Sequence, residues 1–257
     1  MFAESGMTMW KVSLLVTTYN VRENLKITLS SIEQQDYPNL EVIMVDGQSK
    51  DGTLEVIREF AGRHEGPETS CTVRWISEPD GGLYDAMNKA FKMCSGDIVA
   101  VCNDRLCKPD AVSKLVRAIR QGGAGCIGAH ADLVYVDGER VVRTWHMGEG
   151  SLRDGWLPGH PTMFLKREIY ERYGVYDTSY KCAADYEFMV RFLKDESNRL
   201  AYVPEVLVAM FYGGISNAGL RNYMVSFWEG CLGLKRNGVR HPILISLKRT
   251  LLVLRQF

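Results

Sequence analysis

Small polar and acidic side chains follow each of the first four apolar segments of the chain. They are Tyr19 and Asn20, then Asp46, then Asp80, then Asn103 and Asp104. A carboxylate at such a position can accept hydrogen bonds from ribose hydroxyls, at roughly 1.5–3 kcal/mol per well-placed bond, or help to hold a divalent cation. On spacing alone, Asp46 fits a cap of the next helix equally well, and Asp51, before Gly52 and Thr53, fits a helix N-cap better than a ligand.

The apolar segments have the pattern of strands that alternate with helices. Apolar runs at 11–18, 40–45 and 97–102 are typical of strands buried on both faces, and 72–77 is predicted as a further strand between the second and the last of them. Helical periodicity separates them, so the chain predicts an α/β fold with a mostly parallel, Rossmann-like sheet and flanking helices. In such sheets ligands bind beyond the carboxyl ends of the strands, where the polar residues lie.

The second half of the chain follows a different pattern. A turn signal at Asp137-Gly138 predicts a hairpin between 133–136 and 141–145. Glycine and proline make 148–160 a predicted loop. Later segments predict a strand over 200–203 and helices over 185–193, 221–234 and 244–254.

Several classes of protein are excluded by the sequence. The turn at 17–21 contains no glycine, so it cannot be a dinucleotide-binding turn, and no P-loop occurs. The balance of 31 basic and 31 acidic residues offers no field for a nucleic-acid partner. Seven cysteines without zinc spacing, and no signal peptide or long apolar run, predict a cytoplasmic protein with reduced thiols and no membrane-spanning segment.

A series of motifs resembles the inverting family 2 glycosyltransferases of bacterial polysaccharide and glycolipid assembly. The motifs, which cover residues 11–216, are VSLLVTTYN, EVIMVDGQSKDGT, ISEPDGGLYDAMNKAF, GHPTMFLKREIYERYGVYD, KCAADYEFMVRFL and FYGGIS. The resemblance implies the GT-A fold over residues 1–216. The half 1–104 would bind a nucleotide sugar, the half 105–216 the acceptor, and residues 217–257 would form a C-terminal helical extension.

The resemblance also implies roles for residues that bind the nucleotide sugar. Thr17, Tyr19 and Asn20 would line the base, with Asp46 on the base or ribose. Asp80 would lie near the ribose and phosphates, where two glycines let the backbone approach a ligand. Asn88 and Lys89 would face the same pocket, although Lys89 fits a solvated helix lysine equally well. The remaining assignments are Asn103 beside the metal, His160 near the acceptor and diphosphate, and Gly213, Gly214 and Ser216 in a segment over the donor.

Catalysis in an inverting transfer needs a base, because the acceptor hydroxyl loses its proton as it attacks the anomeric carbon. The resemblance assigns that role to Asp185, which as an isolated residue fits a helix N-cap as well. Glu187 is two residues away and is not expected on the same helix face.

The metal motif departs from the family pattern. Relatives usually carry Asp-x-Asp or Asn-x-Asp-Asp after the fourth strand, whereas here Asn103-Asp104-Arg105 contains one carboxylate. Mg²⁺ or Mn²⁺ would therefore be held by Asp104, with Asn103 as a neutral helper and with phosphate oxygens and waters as further ligands. A second interpretation gives part of this role to Arg105, as a partner of the phosphates.

The resemblance implies transfer of a sugar from a UDP-sugar to a hydroxyl of a glycan or lipid-linked acceptor, in synthesis of cell-surface polysaccharide or glycolipid. The reduced metal motif leaves an alternative open, a sugar-nucleotide-binding regulatory protein without turnover. A nucleotidyltransferase would be expected to carry a glycine-rich loop with a basic residue after the first strand, and residues 17–20 lack one.

The C-terminal segment 235–257 contains six basic residues and no acidic one. Leu244, Leu247, Leu251 and Leu254 form an apolar stripe at helical spacing. Two interpretations stay open. The stripe packs on the domain, or the helix makes peripheral contact with an anionic membrane, at the inner face of the plasma membrane.

Overall fold

A computed structural model describes residues 9–66, 71–212 and 219–254 of the chain, so the predicted segment with Gly213, Gly214 and Ser216 lies outside the described residues. The strands are β1 (Val12–Thr18), β2 (Leu40–Asp46), β3 (Cys71–Ser77), β4 (Ile98–Val101), β5 (Arg105–Leu106), β6 (Cys126–Asp137), β7 (Arg140–Trp145), β8 (Phe164–Lys166) and β9 (Arg199–Phe211). The helices are α1 (Arg22–Glu33), α2 (Thr53–Arg63), α3 (Leu83–Met93), α4 (Ala111–Gln121), α5 (Arg167–Tyr173), α6 (Ala184–Leu193), α7 (Gly219–Arg236) and α8 (Pro242–Leu254).

The strands form a nine-stranded sheet in the order β3-β2-β1-β4-β8-β6-β9-β5, with β7 paired to β6. The first four strands are parallel, as the alternation of strands and helices predicts, and every residue of β1 and β2 is buried. In the second half β6 pairs in parallel with β9 and antiparallel with β7 and β8. The sheet as a whole is therefore mixed, and its parallel half carries the polar strand ends.

Three of these strands and helices were not predicted from the sequence, namely β5, which has two residues, β8 and α5. The three residues of β8 are too few to show a periodicity. In addition, β6 begins at Cys126 and β9 continues to Phe211, so both are much longer than predicted. The predicted hairpin between β6 and β7 is confirmed, with Gly138 in the left-handed region at φ 60°.

Helices cover both faces of the sheet. Leu14 and Val16 of β1 belong to one core, which includes Phe60 of α2, and Leu15 points to the other. The second core contains residues of α3 and α6 together with Leu234 of α7 and Ile245 of α8. The C-terminal helices thus share a core with α3 and α6.

The predicted apolar stripe of α8 does not pack on the domain, so that interpretation is wrong. Leu244, Leu247, Leu251 and Leu254 are 54%, 48%, 58% and 61% exposed, while Ile245 is buried instead. No helix in the described part of the chain is long and apolar enough to cross a bilayer.

One buried carboxylate joins β1, β2 and the turn before β4. Glu41 accepts hydrogen bonds from the hydroxyl of Ser13 at 2.6 Å, from the backbone and hydroxyl of Ser95 at 2.7 and 2.8 Å, and from Arg74 at 2.6 Å. Burial alone would raise its pKa, but these donors outweigh burial and lower the pKa to about 2.

Candidate active site

The carboxyl ends of the first three strands meet in one row of residues. Thr18 of β1, Asp46 of β2 and Ser77 of β3 are in register. Asp46 is fully buried and accepts hydrogen bonds from both neighbours, from Thr18 at 3.0 Å and Ser77 at 2.7 Å. It also accepts bonds from the hydroxyl and backbone N–H of Ser49, at 2.5 and 3.0 Å.

These four bonds match the acceptor capacity of a carboxylate. The predicted contact of Asp46 with a base or ribose stays a prediction, and it would require one of the four donors to be displaced. In the structure, Asp46 shapes the loop that follows β2.

The loop after β2 brings Tyr19 and Asp80 to one corner of the sheet edge. A Cβ atom added at Gly47 would lie 2.6 Å from Oδ2 of Asp80 and 3.3 Å from the ring of Tyr19. Only a glycine permits this approach. Asp80 also accepts a hydrogen bond from the backbone of Gly82 at 2.9 Å. The ring of Tyr19 is 66% exposed and so is open to stack on a planar ligand.

Asn20 and Asp51 hold the same loop against the start of α1. Asn20 adopts φ 52° and accepts a hydrogen bond from the backbone of Lys50 at 2.8 Å, so its side chain orders the loop. Asp51 accepts bonds from the backbone N–H groups of Thr53 and Arg22, both at 3.0 Å. The N-cap residue of α2 is Gly52 and not Asp51 as predicted, but the Asp51 carboxylate binds the backbone N–H of the first residue of both α1 and α2.

The side chain of Asn103 is paired with Thr17. Its Oδ1 accepts a bond from the backbone N–H of Thr17, and its Nδ2 donates to the hydroxyl of Thr17, both at 2.8 Å. The amide of Asn103 thereby joins the ends of β1 and β4, and its role as helper to a metal stays a prediction, since Oδ1 accepts only one of its two possible bonds.

Asp104 lies beside the end of β9. Its Oδ1 accepts a hydrogen bond from the backbone of Phe211 at 3.1 Å, and no donor in the described part of the chain reaches its Oδ2. Burial raises the pKa of Asp104 to about 6, and the bond from Phe211 only partly offsets this. A carboxylate in this condition is stabilised by a cation.

The residues present fit a divalent ion that is shared with a ligand. Among the described residues, no group of three His, Cys, Asp or Glu side chains could hold a metal ion alone. Mg²⁺ needs only one or two protein carboxylates when phosphate oxygens and waters complete its shell. Asp104 meets that minimum.

Asn88 joins α3 to the segment before α6. Its Nδ2 donates to the backbone carbonyl of Tyr176 at 2.8 Å, and its Oδ1 accepts from the backbone N–H of the same residue at 2.9 Å. Asn88 is buried, so these contacts give it a structural role, and its contact with the nucleotide sugar stays a prediction.

Lys89 braces the loop that follows β3. Its ammonium group lies 2.9 Å from Glu78 and 3.4 Å from Asp85, and it donates to the carbonyl of Pro79 at 2.7 Å. The hydrogen bond to Glu78 raises the pKa of Lys89. Contact with a diphosphate stays a prediction for this residue.

The contact of Asn88 with Tyr176 positions His160. The Nε2 of His160 lies 2.8 Å from the hydroxyl of Tyr176, which is also 3.2 Å from that of Tyr170. Burial lowers the pKa of His160, and the charge of Asp185 opposes this. His160 is therefore a neutral hydrogen-bonding group at pH 7, close to the predicted base.

Asp185 is the second residue of α6. Its Oδ1 accepts hydrogen bonds from the hydroxyl of Tyr84 at 3.1 Å and from the backbone of Tyr186 at 2.8 Å. Burial and the charge of Asp185 raise the pKa of Tyr84 well above its usual range, so Tyr84 stays a donor. Tyr84 belongs to the first turn of α3, directly after the loop with Asp80. The corner formed by Tyr19 and Asp80 lies at one end of the short segment 80–84, and the carboxylate of Asp185 lies at the other end.

Glu187 has a different environment. It is buried, with Arg191 at 3.0 Å and Asn237 at 2.9 Å. These contacts give Glu187 a structural role, in agreement with the expectation that it does not share the face of Asp185.

Glu229 of α7 is a residue that the sequence did not point to. Its carboxylate accepts three backbone bonds, from Lys181 at 2.9 Å, Cys182 at 2.8 Å and Ala183 at 3.0 Å. These amides immediately precede α6, and their partner lies 46 to 48 residues further along the chain. No local pattern could reveal such a contact.

Comparison with known proteins agrees with this geometry. The family model described as "Glycosyl transferase family 2" matches residues 13–188. The chain is 28% identical over 219 residues to a PGL/p-HBAD biosynthesis glycosyltransferase of Mycobacterium bovis (strain BCG / Pasteur 1173P2), covering 80% of this chain and 78% of that protein.

Two solved structures share the fold. The mannosyltransferase PcManGT from Pyrobaculum calidifontis, in complex with GDP-Man and Mn²⁺, superposes with a TM-score of 0.67 at 20% identity, over 97% of this chain and 71% of that one. S. aureus TarS 1-349, in complex with UDP-GlcNAc, superposes with a TM-score of 0.69 at 18% identity, over 93% of this chain and 71% of that one.

Proposed function

We propose that this chain, which belongs to glycosyltransferase family 2 and is a glycosyltransferase, transfers a sugar with inversion from a nucleotide-diphosphate donor to a hydroxyl of a glycan or lipid-linked acceptor. The product would enter cell-surface polysaccharide or glycolipid synthesis. The observation that carries the proposal is the position of Asp185, which is hydrogen-bonded to Tyr84 at 3.1 Å, at the end of the segment that begins with Asp80.

The two halves of the domain have different roles. In the half 1–104, Tyr19 stacks on the base and Asp80 binds the ribose or phosphates. Thr17, Asn20 and Asp46 form the walls of this corner through their bonds with Asn103, Lys50 and Ser49. In the half 105–216, Asp185 takes the proton from the acceptor hydroxyl as that oxygen attacks the anomeric carbon, and the nucleoside diphosphate leaves from the opposite face.

His160 is placed to orient the reacting groups. Because it is neutral at pH 7 and its Nε2 is engaged by Tyr176, its other ring nitrogen can bond to the acceptor or to a phosphate oxygen. Asp104 would hold Mg²⁺ or Mn²⁺, which supplies charge neutralisation for the departing diphosphate when it is bound.

A UDP-sugar is the first donor to test. TarS was solved with UDP-GlcNAc, whereas PcManGT was solved with GDP-Man, so both bases belong in the screen. The experiment measures the melting temperature with UDP-, GDP- and dTDP-sugars in the presence of Mn²⁺, followed by NMR of the anomeric configuration of the product. A product that retains the donor configuration would contradict inversion, and no thermal shift with any nucleotide sugar would contradict the donor class.

We further propose that the enzyme acts in the cytoplasm, at the inner face of the membrane. Exposed apolar residues of α7 and α8 support this, namely Trp228, Leu232, Ile243, Leu244, Leu247, Leu251 and Leu254. Exposed Lys235, Arg236 and Arg240 add positive charge beside them, which is complementary to anionic lipids.

The membrane contact is tested by sedimentation with vesicles of phosphatidylcholine that contain phosphatidylglycerol. The variant Leu247→Ser/Leu251→Ser removes exposed apolar area without touching the buried Ile245. We expect it to sediment less than the parent chain. Equal sedimentation of both chains would overturn the contact.

A further inference from the structure

A large cavity lies far from the corner formed by Tyr19 and Asp80, where we propose that the nucleotide sugar binds. It has a volume of about 1040 Å³ and lies between the starts of β6 and β9, the loop 149–156, the segment after α6, and α8. It is lined by Cys126 and Arg199, at the amino ends of their strands. Asp104, in contrast, bonds to Phe211 at the carboxyl end of β9. Twelve residue steps of strand separate the two ends of β9, roughly 35–40 Å.

The rim of the cavity is basic. Five basic side chains line it, against the two acidic side chains of Glu149 and Glu196; the basic ones are Arg153, Lys194, Arg199, Arg240 and Lys248. Arg153 pairs with Glu196 at 3.1 Å, and Lys248 with Asp154 at 3.3 Å.

The other three cations have no acidic partner within the described residues. Lys194 donates only to the backbone and side-chain oxygens of Asn237, at 3.3 and 3.2 Å, and Arg199 donates to the carbonyl of Ala124. No bond to Arg240 is found in the same part of the chain. The rim therefore retains positive charge that an anion can neutralise.

We call the apolar part of the cavity lining the floor, and one polar side chain, His130, lies beside it. Leu152, Ile245 and Trp156 contribute hydrocarbon and indole surface. His130 is fully buried, with its ring 5.1 Å from Tyr202 and 5.4 Å from Trp156 between centroids. Neither ring nitrogen has a hydrogen-bond partner among the described residues, and burial lowers the pKa of His130 to about 4.

A neutral imidazole with both nitrogens unpaired is costly in a protein interior, and such groups are usually met by a water or a ligand. An apolar floor with one polar group, beneath a rim of cations, has the form of a site for an amphiphile with an anionic head.

We propose that this cavity binds the phosphate-bearing head of a lipid, with the phosphate on Lys194, Arg199 and Arg240 and the adjoining hydrocarbon over the apolar floor. The proposal rests on the membrane contact of the proposed function. Leu244 and Lys248 of α8 line the cavity, and Leu244 is also part of the exposed apolar surface, so the cavity opens beside the surface that would lie on the bilayer.

The direct test uses the full chain and a soluble probe, dihexanoyl phosphatidic acid below its critical micelle concentration, with calorimetric titration. We expect saturable binding. The variant Lys194→Gln/Arg199→Gln/Arg240→Gln should weaken it at least tenfold. The matched control, Arg58→Gln/Lys92→Gln/Arg117→Gln, removes the same charge from exposed positions outside the cavity and should change affinity less than twofold.

A second variant examines the floor. His130→Phe keeps an aromatic ring against Tyr202 and Trp156 but removes the unpaired nitrogens, so we expect a higher melting temperature together with at least threefold weaker probe binding. Unchanged affinity in both His130→Phe and the cavity triple variant would overturn the proposal. So would an equal loss of affinity in the control triple variant, because the cations would then act only through net charge.

Two further arms identify the source of the phosphate. Inorganic phosphate should compete with the probe only at concentrations at least tenfold higher; competition at equal concentration would overturn the lipid assignment. Sedimentation with vesicles tests the membrane contact separately from binding in the cavity. Binding of the probe without binding of vesicles would support the cavity as a lipid site and refute the membrane contact. Binding of vesicles without binding of the probe would support the membrane contact and refute the cavity as a lipid site. Donor-induced melting shifts report on the sheet edge independently of both.

Discussion

The carboxylate of Glu229 accepts a 3.0 Å hydrogen bond from the backbone N–H of Ala183, two residues before Asp185. The same carboxylate oxygen accepts from Cys182, and the other from Lys181. Backbone N–H groups at the start of a helix have no partner within the helix, so a remote acid fixes the point at which α6 begins. The first turn of α6 carries the proposed base, and α7 thereby sets its position.

Glu229→Ala should lower kcat at least tenfold, because the proposed base Asp185 is displaced. The KM for the donor should change less than twofold, because the corner formed by Tyr19 and Asp80 is unchanged. Glu229→Gln should be milder, since its amide oxygen can still accept two of the three bonds. Steady-state kinetics over a range of pH check this, and the acidic limb of the kcat profile should shift in Glu229→Ala. The exposed Glu55→Gln is the control. If Glu229→Ala and Glu229→Gln lowered the melting temperature to the same extent and also lowered kcat to the same extent, Glu229 would have only a structural role.

Asp185→Asn should reduce kcat by about 10²- to 10⁴-fold, the range typical of a general base, and should leave donor affinity unchanged. Rapid-quench assays with a saturating donor measure the chemical step. Glu187→Gln offers a contrast, because it breaks the pair with Arg191 and should affect the melting temperature instead. Full activity of Asp185→Asn would remove the residue from the mechanism.

Asn88→Ala should lower the free energy of unfolding by about 1–3 kcal/mol, because it leaves the buried N–H and carbonyl of Tyr176 without their partners. Urea denaturation measures this change. Donor affinity at a temperature where the variant is folded should stay within twofold of the parent. A tenfold loss of donor affinity without loss of stability would instead support the role expected from the sequence.

Asp104→Asn should abolish the Mn²⁺-dependent part of the melting shift caused by UDP, because the described residues contain no group of three His, Cys, Asp or Glu side chains that could hold the ion elsewhere. The unliganded variant should be more stable at pH 7 by about 1–2 kcal/mol, since burial penalises an ionised carboxylate. Differential scanning calorimetry with and without Mn²⁺ measures both effects, with the exposed Asp137→Asn as control. A variant that keeps the metal-dependent shift would place the ion elsewhere.

Glu41 predicts a specific acid sensitivity. Its pKa is about 2 in the folded protein against 4.5 for the free side chain, so its ionised form stabilises the fold. That contribution, about 3 kcal/mol, is complete above pH 4.5 and is lost as the pH falls from about 4.5 to 2. Urea unfolding across this range measures it. Glu41→Gln should be less stable than the parent at pH 7, and the difference should shrink toward pH 2. A difference that does not depend on pH would contradict the assignment.

The predicted parts of the fold follow from local burial patterns. The parallel strands β1, β2 and β4 are buried on both faces, and this leaves a continuous apolar run that a sequence reveals directly, whereas β3 at the edge of the sheet is only partly buried. The long strand β6 was only half predicted, because its buried portion includes His130 and Asp132, which interrupt the apolar signal. The helix α8 was predicted correctly, but the spacing of its leucines does not reveal whether they pack on the domain or stay exposed.

For the active site, the sequence by itself determined which residue types stand at the strand ends, because the alternation of buried strands and helices is a local property of the chain. It also placed Asp185 at the start of a helix. Only the tertiary structure decided the partners. Asn103 is hydrogen-bonded to Thr17, 86 residues away, and Asn88 to Tyr176, 88 residues away. Glu229 accepts a hydrogen bond from Ala183, which lies 46 residues before it. These pairings depend on the order of strands in the sheet and on the packing of α7 against α6. A carboxamide or carboxylate has the same chemistry in the sequence whether it is later used to hold a ligand or to hold the fold.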